Sequence, residues 1–281
     1  MNTNSNVYTV IYSTVIVVIV AAVLAMVAMG LKSKQEANEK ADTISQMMTA
    51  AGFGTKADFQ KAGNAAVLAK YAEELECSFT VGVDGNKVAD LENGKVYSPS
   101  ELKKQNYNLK GAGTPELPVF KFKNGITVVP VYGAGLWGPV WGYIAFEQDG
   151  RTVKGAYFDH ESETAGLGAK IKDDPEFQKE FCGEKPDFTT PNVFEIVKGG
   201  APRDAEGKSV IDNKIDAITG ATMTSRGLDA AIDSWLGAYS RYFLGAAPAP
   251  ETHHCGMCQG TEEAQCGKDC QNCENKNAEE K

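Results

Sequence analysis

The first 31 residues contain no Asp, Glu, Lys or Arg, and none of the 28 basic residues of the chain stands in a run longer than a pair. These absences exclude different things. Lacking clustered Lys and Arg and carrying a formal net charge of -9, the 281-residue chain presents no basic surface of the kind that nucleic-acid phosphates require. Lacking any charge, VYTVIYSTVIVVIVAAVLAMVAMGL from Val7 to Leu31 is 25 residues long, enough at about 1.5 Å per residue to cross a hydrocarbon core of about 30 Å. No basic segment precedes Val7, and the apolar run is longer than that of an ordinary secretion signal, which favours a retained span over a cleaved one. The first cysteine is Cys77, so an acylated N-terminal cysteine is excluded. Gly133, Gly135, Gly138 and Gly142 follow no strand-to-helix pattern, which excludes a dinucleotide-binding fingerprint.

What is present after the span is a folding composition, with 42% hydrophobic and 23% charged residues. Within the span Tyr8, Thr9, Tyr12, Ser13 and Thr14 offer hydroxyls to a partner helix, or serve as interfacial anchors. Beyond Lys32, Ile44, Met47, Met48 and Ala51 keep helical spacing until Gly52 and Gly54. A second helical pattern over 56–75 sets Phe59, Ala62, Ala66, Leu68, Tyr71 and Leu75 on one stripe. Three pairs of apolar runs then flank Asp84-Gly85, Asn124-Gly125 and Asp149-Gly150, dipeptides that accept the positive φ of tight hairpins. Hairpins with intervening helices predict an α+β fold: an antiparallel sheet with flanking helices, preceded by one N-terminal transmembrane helix.

Three stretches carry candidate chemistry. GLWGPVWGYIAF (135–146) brings Trp137 and Trp141 together with glycines that admit a flat ligand, or forms a buried aromatic strand. HESETAGLGAKI (160–171) sets His160, Glu161 and Glu163 ahead of Thr164, Gly166, Leu167 and Gly168, a loop suited to ligand contact. DAITGATMTS (216–225) crowds Thr219, Thr222, Thr224 and Ser225 around Gly220 and Ala221. It is followed by Leu228, Ile232, Trp235, Leu236, Tyr239 and Phe243 at the spacing of an amphipathic helix over 225–243. Hydroxyls at a helix N-terminus cap it or meet an anion there, and capping alone needs only one of them. No general base or nucleophile for substrate chemistry is apparent, so no catalytic residue is assigned.

DAITGATMTS resembles the (S/T)GAT flavinylation motif of FMN-binding domains in the C subunit of the sodium-translocating NADH:quinone oxidoreductase and in the related G subunit of the Rnf complex. ETAGLG resembles that family's ETPGLG loop, with Ala165 in place of proline, and GLWGPVWGYIAF resembles its Trp-containing strand. The likeness covers roughly residues 1–245, and the long segment between anchor and FMN domain resembles the quinone oxidoreductase subunit more than the Rnf subunit. The resemblance implies FMN joined covalently through its phosphate to Thr222 by a flavin transferase. It further implies an electron-carrying subunit in a membrane complex that couples NADH oxidation and quinone reduction to sodium export. The other subunits are then its partners. Two alternatives stay open: the Rnf-type subunit, and a membrane-anchored ligand-binding domain without flavin.

On that reading residues 1–31 are the anchor, 32–110 a helical and hairpin connecting region, 111–245 the FMN-binding domain and 246–281 a Cys-rich tail. The family implies a bacterial inner-membrane location with the chain beyond Lys32 outside the cytoplasm. Lys32 and Lys34 argue the other way under the positive-inside rule. In the tail, Cys255, Cys258, Cys266, Cys270 and Cys273 beside His253 and His254 could take zinc or an iron–sulfur cluster, or form disulfides. With so few apolar side chains the tail is read as disordered, and no metal ligand is assigned.

Overall fold

In the computed structural model, which describes residues 6–204 and 209–245, the first helix does not stop where the apolar run ends at Leu31. Helix α1 runs unbroken over Asn6–Ala50, 45 residues. Its apolar part is exposed along its length, whereas Ile44, Met47 and Met48 are fully buried, so one rod is lipid-facing at one end and a core element at the other. Gly52, at φ 80°, turns the chain out of the helix.

The pattern over 56–75 is divided in two. Helix α2 (Lys56–Ala62) opens on a reciprocal capping box between Thr55 and Asp58, and α3 (Asn64–Glu74) follows Gly63, whose φ is 81°. That turn restarts the stripe: Phe59, Val67 and Tyr71 are buried, while Ala62 and Ala66 are exposed. Helix α4 (Pro99–Tyr107) starts at a second capping box, Ser98 with Glu101, followed by Pro99 at the first helical position.

All three hairpins form around their turn dipeptides. Strands β1 (Leu75–Val81) and β2 (Lys87–Asp90), β3 (Leu117–Phe122) and β4 (Thr127–Ala134), and β5 (Pro139–Phe146) and β6 (Val153–His160) join one six-stranded sheet. Its order is β2-β1-β3-β4-β5-β6, with every neighbour antiparallel. Two short helices follow β6, α5 (Lys170–Asp173) and α6 (Pro175–Lys179). Strands β7 (Glu195–Val197) and β8 (Lys214–Asp216) pair in parallel beside the sheet.

Both faces of the sheet are covered, which is why β4 and β5 read as near-continuous apolar runs. On one face Phe120, Phe122, Val128, Tyr143 and Tyr157 pack with Ile44, Met47 and Met48 of α1 and with Phe59, Val67 and Tyr71. On the other, Val129, Val131, Val140, Ile144 and Phe158 pack under α7 (Thr222–Gly245). The stripe Leu228, Ile232, Trp235, Leu236, Tyr239 and Phe243 is buried as its spacing predicts. Each such side chain contributes about 1.5–3 kcal/mol relative to exposure. Two polar tips fix the helix: Trp235 donates Nε1–H to Asn106 Oδ1 at 3.2 Å, and the Tyr239 hydroxyl donates to the Pro118 carbonyl at 2.7 Å. The tail cysteines named above lie outside the described residues.

Candidate functional site

Helix α7 starts at Thr222, three residues before the expected span of 225–243, so Thr222, Thr224 and Ser225 all occupy its first turn. Gly220 directs the chain into that turn at φ 82°, a conformation L side chains rarely adopt, and a Cβ there would also press on Leu167 at 3.0 Å. Ala221 supplies no side-chain acceptor at the helix start. The amides of Thr222, Met223 and Thr224 consequently find no acceptor among the described residues.

The four hydroxyls have separate fates. Thr224 is 2% exposed and its Oγ1 donates to Glu163 Oε2 at 2.7 Å. Ser225 is equally buried, and its Oγ accepts the Ile218 amide at 3.2 Å. That bond reaches back along the chain, so Ser225 does not cap its own helix as its position suggested. Thr219 is exposed ahead of Gly220. Thr222 is half-buried at the first helical position, and its hydroxyl bonds to nothing among the described residues.

Two further segments frame this turn. The tip of the β4–β5 hairpin closes with the Gly135 amide donating to the Gly138 carbonyl at 2.8 Å, and carries Trp137 67% exposed. After β6, the loop to α5 folds on itself through Thr164, whose carbonyl accepts the amides of Leu167 and Ala169, each at 3.1 Å. Glu163 joins all three segments. Besides accepting from Thr224, it accepts the Trp137 amide on Oε1 at 3.0 Å, while its own amide donates to His160 Nδ1 at 3.1 Å. Ser162 adds a bond from its hydroxyl to the Trp137 carbonyl at 2.9 Å. Gly168 is buried against Glu163 and Thr224, where a Cβ would collide with both.

Thr222, Thr219, Gly220, Ala221, Thr224, Ser225, Trp137, Glu163, Thr164, Gly166, Leu167 and Gly168 thus lie on three adjoining segments. Trp141 does not join them. Side chains alternate along a strand, and Trp141 shares the α1 face with Tyr143, donating its Nε1–H to Gln46 Oε1 at 3.2 Å. Gly142, read as room for a flat ligand, is filled instead by the Phe158 ring and the Tyr157 carbonyl. Exposed Leu136, Leu167 and Met223 add to Trp137 an apolar rim that spacing alone did not reveal, because exposure depends on what the fold leaves uncovered.

Behind Trp141 lies a polar cluster with no sequence signal. Gln46 Nε2 donates to Asp159 Oδ2 at 2.9 Å, and Lys172 of α5 pairs with Asp159 Oδ1 at 2.8 Å. Lys56 pairs with Asp42 at 2.6 Å, and its pKa is lowered because burial outweighs the attraction of that carboxylate.

Comparison with known proteins agrees with this arrangement. The profile of the FMN-binding domain family matches residues 135–237, which contain all three framing segments. The C subunit of the Na(+)-translocating NADH-quinone reductase of Vibrio vulnificus strain YJ016 is 31% identical over 228 residues, covering 76% of this chain and 84% of that one. The Vibrio anguillarum C subunit is 30% identical over 226 residues with the same coverage. The chain belongs to the C-subunit family of the Na(+)-translocating NADH-quinone reductase. Crystal structures of relatives in this family carry the same fold. The one from Parabacteroides distasonis ATCC 8503 gives a TM-score of 0.60 at 28% identity, covering 76% of this chain and 96% of that one. Shewanella oneidensis NqrC gives 0.54 at 25%, covering 74% and 98%. In keeping with that family, α1 crosses the inner membrane once and the remaining described chain forms one large exposed domain.

Proposed function

We propose that this chain is the electron-carrying FMN subunit of a sodium-translocating NADH:quinone complex, with FMN held as a phosphoester on Thr222. The free, half-exposed hydroxyl of Thr222 carries the proposal, since Thr224 and Ser225 are buried and hydrogen-bonded and Thr219 lies ahead of Gly220, outside the helix. The residues around it fit the group. An attached phosphate would meet the open amides of Thr222, Met223 and Thr224 at the positive end of the α7 dipole, a setting that stabilises negative charge. Leu136, Trp137, Leu167 and Met223 offer apolar surface to the isoalloxazine, beside Thr164 and Gly166. FMN supplies the redox chemistry, accepting electrons from one centre and passing them to another, while the protein binds, orients and tunes it.

Three further parts of the reading come from the family. A flavin transferase installs the FMN, the partners are the other subunits of the complex, and the domain beyond Lys32 lies outside the cytoplasm. Protease added to intact spheroplasts removes the large domain if that orientation is right, and leaves it whole if the domain is cytoplasmic. For the attachment site, the full chain is co-expressed with the transferase and the denatured band viewed under ultraviolet light. With modification run to completion, Thr222→Ala abolishes the covalent fluorescence, whereas Thr224→Ala retains it at the end point even if its attachment is slower. FMN found by peptide mass spectrometry on Thr224 overturns the assignment.

A further inference from the structure

We infer that Glu163 is the positioning residue for FMN attachment: it fixes the rotation of the first turn of α7 so that Thr222, and not Thr224, is offered as the acceptor. The inference rests on Thr222 as the attachment site and adds a role for a side chain that need not touch the cofactor.

The argument begins with helix geometry. Successive residues of an α-helix are about 100° apart, so residues 222 and 224 point about 200° apart around the axis. When one is buried, the other faces outward. Thr224 is the buried one, 2% exposed and bonded to Glu163 Oε2 at 2.7 Å, and Thr222 is on the open side. Beyond Ser225, which accepts the Ile218 amide at 3.2 Å, the start of the turn has few ties, because the amides of residues 222–224 have no acceptors among the described residues and Ala221 cannot cap. An uncapped first turn frays, and a frayed turn presents either threonine.

Glu163 is itself held. It is 8% exposed, its second oxygen accepts the Trp137 amide at 3.0 Å, and its own amide donates to His160 at 3.1 Å. Its carboxylate therefore ties the α7 start to the hairpin tip and to the β6–α5 loop. The same carboxylate counters modification of Thr224, since a phosphoester there would replace a hydrogen-bond donor with an anion against an anion.

In the attachment step Thr222 Oγ1 forms a bond to the flavin-bearing phosphorus of a dinucleotide donor. The pyrophosphate P–O bond breaks, the nucleoside monophosphate leaves with the electron pair, and the hydroxyl proton passes to water. Only the pose of Thr222 is assigned to Glu163.

The test uses the full chain in detergent as substrate for the flavin transferase with flavin adenine dinucleotide, reading kcat and KM from covalent fluorescence and the site from peptide mass spectrometry. In Glu163→Ala, kcat at Thr222 falls about tenfold or more with KM within about twofold, since orientation and not recognition is lost. Glu163→Gln recovers most of the rate, because glutamine still accepts the Trp137 amide and hydrogen-bonds Thr224. Thr224→Val reproduces the loss from the other end of the bond with little change in shape. An Ala variant modified at the full rate overturns the role of Glu163, as does a loss confined to KM or one that glutamine fails to recover. FMN on Thr224 of the unsubstituted chain overturns the attachment site itself.

Discussion

Gln46 and Asp159 stand 113 residues apart in sequence and meet at 2.9 Å between the membrane helix and the last strand of the sheet. The same glutamine accepts the indole N–H of Trp141, so one α1 side chain joins two strands. Replacement by leucine keeps the bulk and leaves Asp159 Oδ2 and the indole without that partner. We expect Gln46→Leu to lower unfolding stability by about 1–3 kcal/mol, the ordinary penalty for buried unsatisfied polar groups. Denaturant titration of the full chain in detergent measures it, and unchanged stability would remove Gln46 as a link.

Gly227 sits inside α7, where alanine ordinarily stabilises a helix by about 1 kcal/mol. Here the sign reverses. A Cβ at Gly227 would collide with the Ala134 carbonyl and crowd Gly135, both backbone and unable to swing aside. Overpacking of this kind costs about 1–3 kcal/mol, so Gly227→Ala destabilises on balance. It also lifts the first turn of α7 from the hairpin tip. Thermal unfolding reads the first effect and covalent flavin yield the second.

Asp233 of α7 is raised to about 6, chiefly by burial, with Asp229 and Glu195 adding repulsion and the amides of Phe194 and Val193 opposing. Its carboxyl binds its proton more tightly folded than unfolded. Its contribution is fully present below the unfolded pKa of 3.8 and is lost as pH rises through about 6. Asp233→Asn keeps an acceptor for the Phe194 amide, bonded at 3.2 Å, and removes the titration. The stability of the unsubstituted chain, relative to this variant, falls between about pH 4 and 6 and levels above that range. Unfolding midpoints of the two chains across pH 4–8 check it, and parallel curves would contradict it.

The Tyr239 hydroxyl donates to the Pro118 carbonyl at 2.7 Å in a fully buried setting, fastening α7 to β3. Tyr239→Phe strands that carbonyl with no change in packing shape. The expected loss is about 1–3 kcal/mol, measured by chemical unfolding, with covalent flavin yield unaltered because the bond lies far along α7 from Thr222.

Much of this fold is local and therefore readable in order along the chain. Turn dipeptides announced the β1–β2, β3–β4 and β5–β6 hairpins because their backbone conformation is intrinsic, and the α7 stripe announced its buried face because helical periodicity is. The capping box Ser98–Pro99–Ser100–Glu101 on which α4 starts is equally local, although no helix was expected there. Gly63 spoke less clearly. A glycine within a helical pattern is usually tolerated, and only its positive φ divides α2 from α3.

The three site segments were legible one by one, as glycine-rich loops and a hydroxyl cluster, and their adjacency was not. By itself the sequence determined a lipid-spanning start, an antiparallel α+β domain, and a set of hydroxyls opening an amphipathic helix, since charge, period and turn chemistry act over a few residues. Tertiary structure decided which hydroxyls are buried and bonded, that Trp141 faces α1 while Trp137 stands at the rim, and that Glu163 binds the hairpin tip to the helix start. Each of those depends on side chains meeting across tens of residues, where strand register and helix rotation set the contact and no spacing in the chain records it.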